Sequence, residues 1–168
     1  MRAIISRVGR WLDISYMTVS LFLLGVVIVA SSLQIFTRYV MGSAVTGTEE
    51  LGRYCFIWMS MLGGSICAGK WLHPSISIIT DMLTPKMRKA SDVFLNILIV
   101  VVSIVLVDKG TDMVMLTTKQ LSSVLRIPMS IVYLSVPLGS FGMGWHAVEN
   151  ILKAISHDTD SVKREAAL

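Results

Sequence analysis

Residues 14–37 read ISYMTVSLFLLGVVIVASSLQIFT, an uncharged run of 24 residues between Asp13 and Arg38. As a helix rising ~1.5 Å per residue, this run is long enough to cross the ~30 Å hydrocarbon core of a bilayer. A formal charge at mid-bilayer costs several kcal/mol, so the two flanking charges mark where the hydrocarbon ends. The stretch therefore predicts a membrane-spanning helix.

Three further uncharged runs, of 16, 15 and 22 residues, follow along the chain. Flanking cations that reach the interface, and helix that continues beyond the hydrocarbon, supply the length that the shorter runs lack. The predicted spans are 14–37, 53–70, 92–112 and 127–148. The fold class is therefore an all-α membrane protein with four transmembrane helices, in which residues 1–155 form one domain and residues 156–168 a polar tail.

Composition supports a membrane protein. The 168 residues are 54% hydrophobic and 15% charged, with a mean hydropathy of +0.70, whereas soluble domains carry ~25% charged residues. This balance excludes disorder and argues against a soluble globular fold. The net charge of +4 does not indicate nucleic acid, because the basic residues form no stripe with aromatic residues between them. Cys55 and Cys67 point about 120° apart on a helix and cannot bridge each other.

The distribution of lysine and arginine predicts the topology. Ten of these residues fall on the side of the two termini and the middle connection, and five on the other side. By the positive-inside rule, both termini and the middle connection lie in the cytoplasm.

The middle connection itself contains a short amphipathic segment at about residues 75–84, bounded by Pro74 and Pro85. It is too short to span a bilayer, so we predict a helix that lies along the cytoplasmic interface. Lys70, His73 and Asp81 are predicted interfacial residues of this connection.

The sequence shows no arrangement that would carry catalysis, neither a nucleophile beside a base nor a cluster of metal ligands. We predict a protein that is not an enzyme and holds no cofactor or metal. The alternative is a membrane anchor of a redox enzyme, with His73 and His146 as haem ligands; contact of both with water or head groups is the preferred interpretation. A small self-sufficient exporter would need a membrane-embedded charge, and the predicted spans lack one.

Small residues within the spans predict close helix packing. In span two they recur every fourth residue as Ser60, Gly64 and Ala68, and in span four Gly139, Ser140 and Gly144 are small. Pro137 should kink span four.

Two polar clusters flank the spans on the predicted extracytoplasmic side. Glu49 and Glu50 precede Arg53 by four and three residues, and Thr46 stands in capping-box spacing to Glu49. Two carboxylates and an arginine exceed what a cap requires. After span three, Asp108 and Asp112 lie one helical turn apart with Lys109 between them, which indicates a solvated face or a docking surface.

Specific residues resemble a known family. Gln34, Arg38 and Tyr39 are followed by EELGRY at residues 49–54, by Trp58, and by RIPMSIVYLSVPLG at residues 126–139. Together they resemble the small membrane subunit of tripartite ATP-independent periplasmic (TRAP) transporters, over about residues 10–150. Lys70, His73 and Asp81 match the family's middle connection more loosely.

The resemblance implies a role in transport and a set of partners. Such subunits pair with a large permease that carries the substrate and sodium sites, while a soluble periplasmic protein delivers an organic acid such as a C4-dicarboxylate or sialic acid. The chain would then be a scaffold in the bacterial inner membrane, in contact with lipid and with no nucleic acid. The implied structural or partner contacts are Arg38, Glu49, Glu50 and Arg53, and the implied docking residues for the binding protein are Asp108, Lys109, Asp112, Lys119 and Arg126.

Overall fold

A computed structural model describes residues 2–42, 46–69 and 85–165 of the chain. It contains four long helices and one short one: α1 (Arg2–Val40), α2 (Thr48–Gly69), α3 (Pro85–Leu116), α4 (Met129–Tyr133) and α5 (Ser135–Glu165). The described ranges contain no β-strand, only an isolated antiparallel bridge between Leu121 and Pro128. The predicted all-α class is therefore confirmed.

Glycines with positive φ form the turn between α1 and α2. Gly42, at φ +70°, follows the end of α1, and Gly47, at φ +106°, precedes α2. The carbonyl of Gly47 accepts the first backbone hydrogen bond of α2, from Leu51 N at 2.9 Å, which makes Gly47 the N-cap. The capping box predicted around Thr46 is therefore wrong by one residue. Glu49 and Glu50 stand in the first turn, where the helix dipole favours negative charge.

The long helices form a single layer. Extensive contacts join α1 to α2, α2 to α5 and α5 to α3, and α1 also touches α5 less extensively. The layer order α1, α2, α5, α3 differs from the chain order, so α5 inserts between α2 and α3. As a result α2 and α5 have neighbours on both sides, whereas α1 and α3 lie at the edges.

Small residues on α5 allow the helices of this layer to approach closely. A Cβ atom on Gly139 would lie 2.7 Å from the carbonyl oxygen of Met61 on α2, and one on Gly144 would lie 3.1 Å from Cβ of Ser103 on α3. The first distance is shorter than any side chain tolerates, so glycine is required where α5 crosses α2. The second is tight, so a small residue is favoured where α5 crosses α3.

Two helices are apolar and long enough to cross a membrane. They are Ser6–Val40 of α1 and Ala90–Leu116 of α3, whose most apolar 18-residue windows have mean hydropathies of 2.3 and 2.6. Only 6% of the most apolar window of α1 is buried within the chain, so its hydrophobic side chains face outward. Uncovered apolar surface of this extent marks a membrane or partner interface.

Several helices are longer than the predicted spans. Lys, Arg and Glu favour helix, and α5 continues through the polar residues after position 155 to Glu165. The predicted interfacial helix at about 75–84 lies outside the described residues, as do Lys70, His73 and Asp81.

Candidate functional site

Glu50 stands in the first turn of α2 with only 5% of its surface exposed. Its Oε1 atom accepts hydrogen bonds from the Tyr54 hydroxyl at 2.6 Å and from Ser123 N at 3.2 Å. Its Oε2 atom accepts from Val124 N at 3.0 Å and Leu125 N at 2.8 Å. Three consecutive backbone amides of the α3–α4 loop thus surround one carboxylate, an arrangement known as an anion-binding nest. We call Glu50, Tyr54 and residues 123–125 the Glu50 site.

The loop is folded locally so that these amides face α2. Met129 N donates to the carbonyl of Gln120 at 2.8 Å, and Ser122 N donates to that of Ile127 at 2.9 Å. The Ser122 hydroxyl accepts from Ile127 N at 3.2 Å. These bonds draw the two ends of the loop together and leave the amides of residues 123–125 at its tip without a partner in the loop itself. Backbone N–H groups require an acceptor, and Glu50 supplies one to all three of these amides.

A strained residue closes the loop. Arg126 has φ +53°. Among the described residues other than glycine, it is the one with a positive φ. The left-handed region is unfavourable for a side chain with a Cβ atom, so the surrounding structure has to hold it there. The bonds on either side of Arg126, at Leu125 N and Ile127 N, supply that constraint.

The hydrogen bonds keep the Glu50 carboxylate charged. The Tyr54 hydroxyl contributes most and the amides of Leu125, Val124 and Ser123 add to it, so that the pKa of Glu50 falls from 4.5 to about 2 although burial opposes the shift. Charge-assisted bonds of this kind are stronger than neutral ones. Glu50 is therefore an anion at every physiological pH, and the loop amides compensate its charge.

One face of α2 carries further contacts to the same segment. Glu50, Tyr54 and Trp58 follow one another at intervals of four residues and so share a helix face. The Tyr54 oxygen lies 3.5 Å from the sulfur of Met129, and Trp58 Nε1 donates to the carbonyl of Ile131 at 3.1 Å. Residues 122–131 are thus attached to α2 along about two helical turns.

The turn between α1 and α2 packs against the loop from the other side. A Cβ atom on Gly47 would lie 3.1 Å from Cδ2 of Leu125. Gly47 is therefore required for its backbone angle and for the space that it leaves to the loop.

The structure separates the other members of the predicted Glu50 cluster. Arg38, Glu49 and Arg53 are exposed, and the Arg53 guanidinium lies 6.0 Å from the centre of the Tyr54 ring. The structure therefore joins Glu50 to the α3–α4 loop and leaves its three predicted companions on the surface. Sequence reasoning missed the loop because backbone amides carry no side-chain signal.

The Asp108 cluster is an exposed ion-pair group on α3. The Lys109 ammonium lies 2.9 Å from Asp108 and 3.2 Å from Asp112, and all three side chains are more than 60% exposed. Exposed pairs of this kind contribute little to stability. Lys119 and Arg126, in the loop that follows, are also exposed.

A second polar cluster, which the sequence analysis missed, lies at the opposite end of the layer. His146 is 3% exposed; its Nε2 lies 3.2 Å from Asp13 Oδ1, within ion-pair distance but outside hydrogen-bond geometry, and its Nδ1 lies 3.9 Å from Glu149 Oε2. Asn150 donates to the carbonyl of Ala68 at 3.1 Å and contacts the Asn96 side-chain oxygen at 3.4 Å. We call Asp13, Asn96, His146, Glu149 and Asn150 the His146 cluster.

The enclosure of His146 corrects its predicted contact with water or head groups. It packs on Gly69, where a Cβ atom would lie 2.9 Å from the imidazole. Both ring nitrogens face carboxylates of this chain, which argues against an axial haem ligand. The spacing of His146, Glu149 and Asn150 places them on one helix face, a signal that the sequence did contain.

The predicted packing residues fall largely at helix contacts. Gly64 faces Met143, Ala68 is buried, and Gly139 and Gly144 contact α2 and α3. Ser60, however, is exposed. A repeat of four residues drifts by ~40° per step on a helix of 3.6 residues per turn, so the buried face follows Leu62, Ser65 and Ala68 instead.

Pro137 lies one turn after an interruption in the helix. Leu134 separates α4 from α5. A proline lacks the backbone N–H that would bond to the preceding turn and kinks a helix there, and Leu134 lies in the turn that precedes Pro137.

Comparison with known families decides the identity of the chain. The model of the DctQ component of tripartite ATP-independent periplasmic transporters matches residues 27–157, which include the Glu50 site and its loop. The chain belongs to the DctQ family. This DctQ-family chain is therefore a transporter component and a membrane protein.

Relatives of this DctQ-family chain carry transport names. It is 22% identical to a putative TRAP transporter small permease protein of Haemophilus influenzae, over 92% of this chain and 93% of that protein. It is 34% identical to the sialic acid TRAP transporter permease protein SiaT of H. influenzae over 40% of this chain, and 28% identical to the isethionate TRAP transporter permease protein DctMQ of Oleidesulfovibrio alaskensis over 60%. The matched parts span 11% and 16% of these two longer proteins.

Proposed function

We propose that this chain is the small permease subunit of a TRAP transporter and acts as a non-catalytic scaffold for the large permease subunit. The observation that carries the proposal is the single helical layer, whose edge helices α1 and α3 leave most of their apolar side chains uncovered. A layer one helix thick has two broad faces, so lipid can cover one while a protein covers the other. The names SiaT and DctMQ, given to much longer permeases that contain a matching part, support the large permease as that protein.

The proposed topology has four spans with both termini in the cytoplasm. Its support is that α1 and α3 run in one direction while α2 and α5 run in the other, as successive crossings of a membrane require. On this topology the Glu50 site lies on the periplasmic side of the bacterial inner membrane.

The proposed contact with the periplasmic substrate-binding protein is the α3–α4 loop. Lys119 and Arg126 are exposed there, and the Glu50 site holds the loop in one conformation, so the loop reaches a partner with little further loss of conformational entropy. Arg38, Glu49 and Arg53 are exposed near the same end and complete the proposed partner surface. Asp108, Lys109 and Asp112 start ~12 Å before the end of α3, so their contribution to docking is peripheral.

The proposed transport reaction is sodium-coupled uptake of an organic acid. The relatives named for sialic acid and isethionate support this class, of which C4-dicarboxylates are also members.

Reconstitution tests the scaffold. Vesicles that contain the large permease, the binding protein and a sodium gradient should take up substrate only when this chain is also present, and the chain should co-purify with the permease in mild detergent. Full uptake by the permease without this chain would refute the proposal.

A further inference from the structure

An open apolar groove of about 710 Å³ lies between α3 and α5. Its walls are formed mainly by Val100, Ile104 and Val107 of α3 and by Phe141, Trp145 and Val148 of α5. Ile104 and Phe141 are more than half exposed, so the groove opens toward the surroundings of the protein and is accessible from the membrane.

The groove divides along its length into an apolar part and a polar end. On α3 it extends from Val100 to Asp112, which corresponds to ~18 Å of helix, and its apolar part, from Val100 to Val107, covers ~10 Å of this, against ~15 Å for half of the hydrocarbon core. A molecule that fills the groove would thus place a polar group at the Asp108 end and the adjoining part of an apolar chain along the walls.

The charged end of the groove has a defined pattern. Asp108, Thr111 and Asp112 line this end, and the Lys109 ammonium bonds to both carboxylates. Two carboxylates flank one ammonium, so the cluster carries a net negative charge, and its one cation, Lys109, borders the groove beside the lining carboxylates. The complement is a head group with a primary ammonium for the carboxylates and a phosphate for Lys109.

A buried donor lies one turn below this cluster. The Ser140 side chain is fully buried in the groove wall, and its hydroxyl has no hydrogen-bond partner in the described part of the chain. Along the two helices, Gly110 of α3 faces Pro137 of α5, and Ser103 of α3 faces Gly144 of α5. Ser140 lies between Pro137 and Gly144 on α5, and therefore immediately beneath the Asp108 cluster. Trp145 Nε1, deeper in the same wall, is likewise buried and unpaired among the described residues. A donor at the level of Ser140 fits an ester carbonyl, which follows the head group in a phospholipid.

We propose that the α3–α5 groove binds one membrane phospholipid with a primary-amine head group, whose ammonium contacts Asp108 and Asp112 and whose acyl chain covers the apolar walls. A helix of the large permease is the competing occupant. A permease helix would cover the apolar walls. It would not, however, account for the two carboxylates and the ammonium at one end of the groove or for the unpaired Ser140 hydroxyl beneath them.

Lipid retention tests this site directly. The full-length chain is delipidated in detergent, incubated with equal amounts of phosphatidylethanolamine, phosphatidylcholine and phosphatidylglycerol of identical acyl chains, and examined by native mass spectrometry. We expect one phosphatidylethanolamine per chain to be retained about tenfold better than the other two, a difference of ~1.4 kcal/mol, because of the three head groups only its primary ammonium donates charge-assisted hydrogen bonds to carboxylates. Equal retention of the three lipids would overturn the proposal.

Variants separate the head-group contact from general adhesion of lipid. Asp108→Asn with Asp112→Asn should abolish the preference for phosphatidylethanolamine, and Ile104→Trp, at an exposed position of the groove, should lower retention of all three lipids. Glu49→Gln, an equally exposed carboxylate on α2, should leave both unchanged. A preference that persists in the double variant would refute the site.

The same measurement on the complex decides between the occupants. If the groove holds lipid, the complex with the large permease retains one phosphatidylethanolamine, and Ile104→Cys does not cross-link to the permease. Efficient cross-linking together with loss of the lipid would assign the groove to a permease helix and overturn the proposal.

Discussion

At the scale of single residues, Glu50 decides how two distant parts of the chain meet. Its carboxylate accepts hydrogen bonds from three loop amides and one hydroxyl, so one buried side chain gathers four donors from two segments. Its neighbour Glu49 has the same chemistry one residue earlier but is exposed. The two positions differ only in the helix face on which they stand.

Replacement of Glu50 by glutamine should lower the melting temperature of the purified chain by several degrees. The glutamine side chain keeps one carbonyl oxygen as an acceptor, but its NH₂ group would face backbone N–H groups. Part of the site would then hold two donors opposite each other with no acceptor between them. Thermal unfolding in detergent measures the effect, and Glu49→Gln is the matched control. An equal effect of the two substitutions would contradict the assigned role of Glu50.

The contribution of Glu50 should depend on pH in the acid range alone. Its pKa is about 2 in the folded chain against 4.5 for the free group, so the folded state prefers the ionised form. The stabilisation is complete above pH 4.5, and it is lost as the pH falls from there through about 2. The stability difference between the wild type and Glu50→Gln should be constant from pH 7 to pH 5 and shrink below that, as unfolding measured across the range would show. A difference that changes between pH 7 and pH 5 would contradict this prediction.

Substitution of Gly47 by alanine should destabilise the chain by about 1–2 kcal/mol, since a Cβ atom is unfavourable at φ +106° and would press on Leu125. Chemical denaturation measures the loss. In Gly52→Ala, at a helical position of α2 where the Cβ would meet no other atom within 4 Å, stability should stay the same or rise by about 0.5–1 kcal/mol. Similar losses in both variants would show that Gly47 has no special role.

At the scale of secondary-structure elements, α5 determines the arrangement because, among the described long helices, it alone packs extensively against both α2 and α3. The close approach at Gly139 brings it to the backbone of α2. The interruption at Leu134 then allows α4 to turn toward α3.

Gly139→Ala should therefore force α2 and α5 apart and cost about 1–3 kcal/mol, the range for overpacking a tight contact. Unfolding in detergent measures it, with Gly63→Ala as the control because a Cβ at Gly63 would meet no other atom within 4 Å. If Gly139→Ala were as stable as Gly63→Ala, the close contact of the two helices would be refuted.

At the scale of the whole molecule, the layer α1–α2–α5–α3 is held at both ends by polar groups. The Glu50 site joins α2 to the α3–α4 loop, and the His146 cluster joins α1, α2, α3 and α5 at the other end. Between them the helices meet through apolar side chains and small residues such as Ser65 and Ser140, and the Tyr16 hydroxyl of α1 donates to the carbonyl of Leu138 on α5 at 2.8 Å. Polar bonds at both ends fix the register of helices whose apolar surfaces alone would permit sliding.

Disulfide cross-linking should reproduce the layer. In a background of Cys55→Ser and Cys67→Ser, the pair Ser103→Cys with Gly144→Cys should oxidise readily, because a Cβ atom at position 144 would lie 3.1 Å from Cβ of Ser103, and a small adjustment brings the two to the ~3.5–4.5 Å of a disulfide. Leu23→Cys on α1 with Val102→Cys on α3 should not, since two helices separate them. Rapid oxidation of this last pair within monomers would indicate a closed bundle and contradict the layer.

The sequence by itself determined the helical class, the length and apolar character that would let α1 and α3 cross a membrane, and the family, because apolar runs, charge placement and the motif around residues 49–54 are local. It also indicated Glu50 and the small residues of span four as important. Four spans and their orientation remain a prediction from charge alone. The local pattern is informative because the free energy of moving a residue from water into a bilayer depends mainly on its own side chain.

Only the tertiary structure decided what these residues contact. The partners of Glu50 are backbone amides 73 to 75 residues away in the chain, and a backbone amide looks the same at every position of a sequence. The order α1, α2, α5, α3 and the burial of His146 between carboxylates depend on which helices are neighbours, which results from side-chain shape and polar satisfaction across helices. The pattern of residues along one helix predicts which face is buried, but it does not predict which other helix or loop packs against that face.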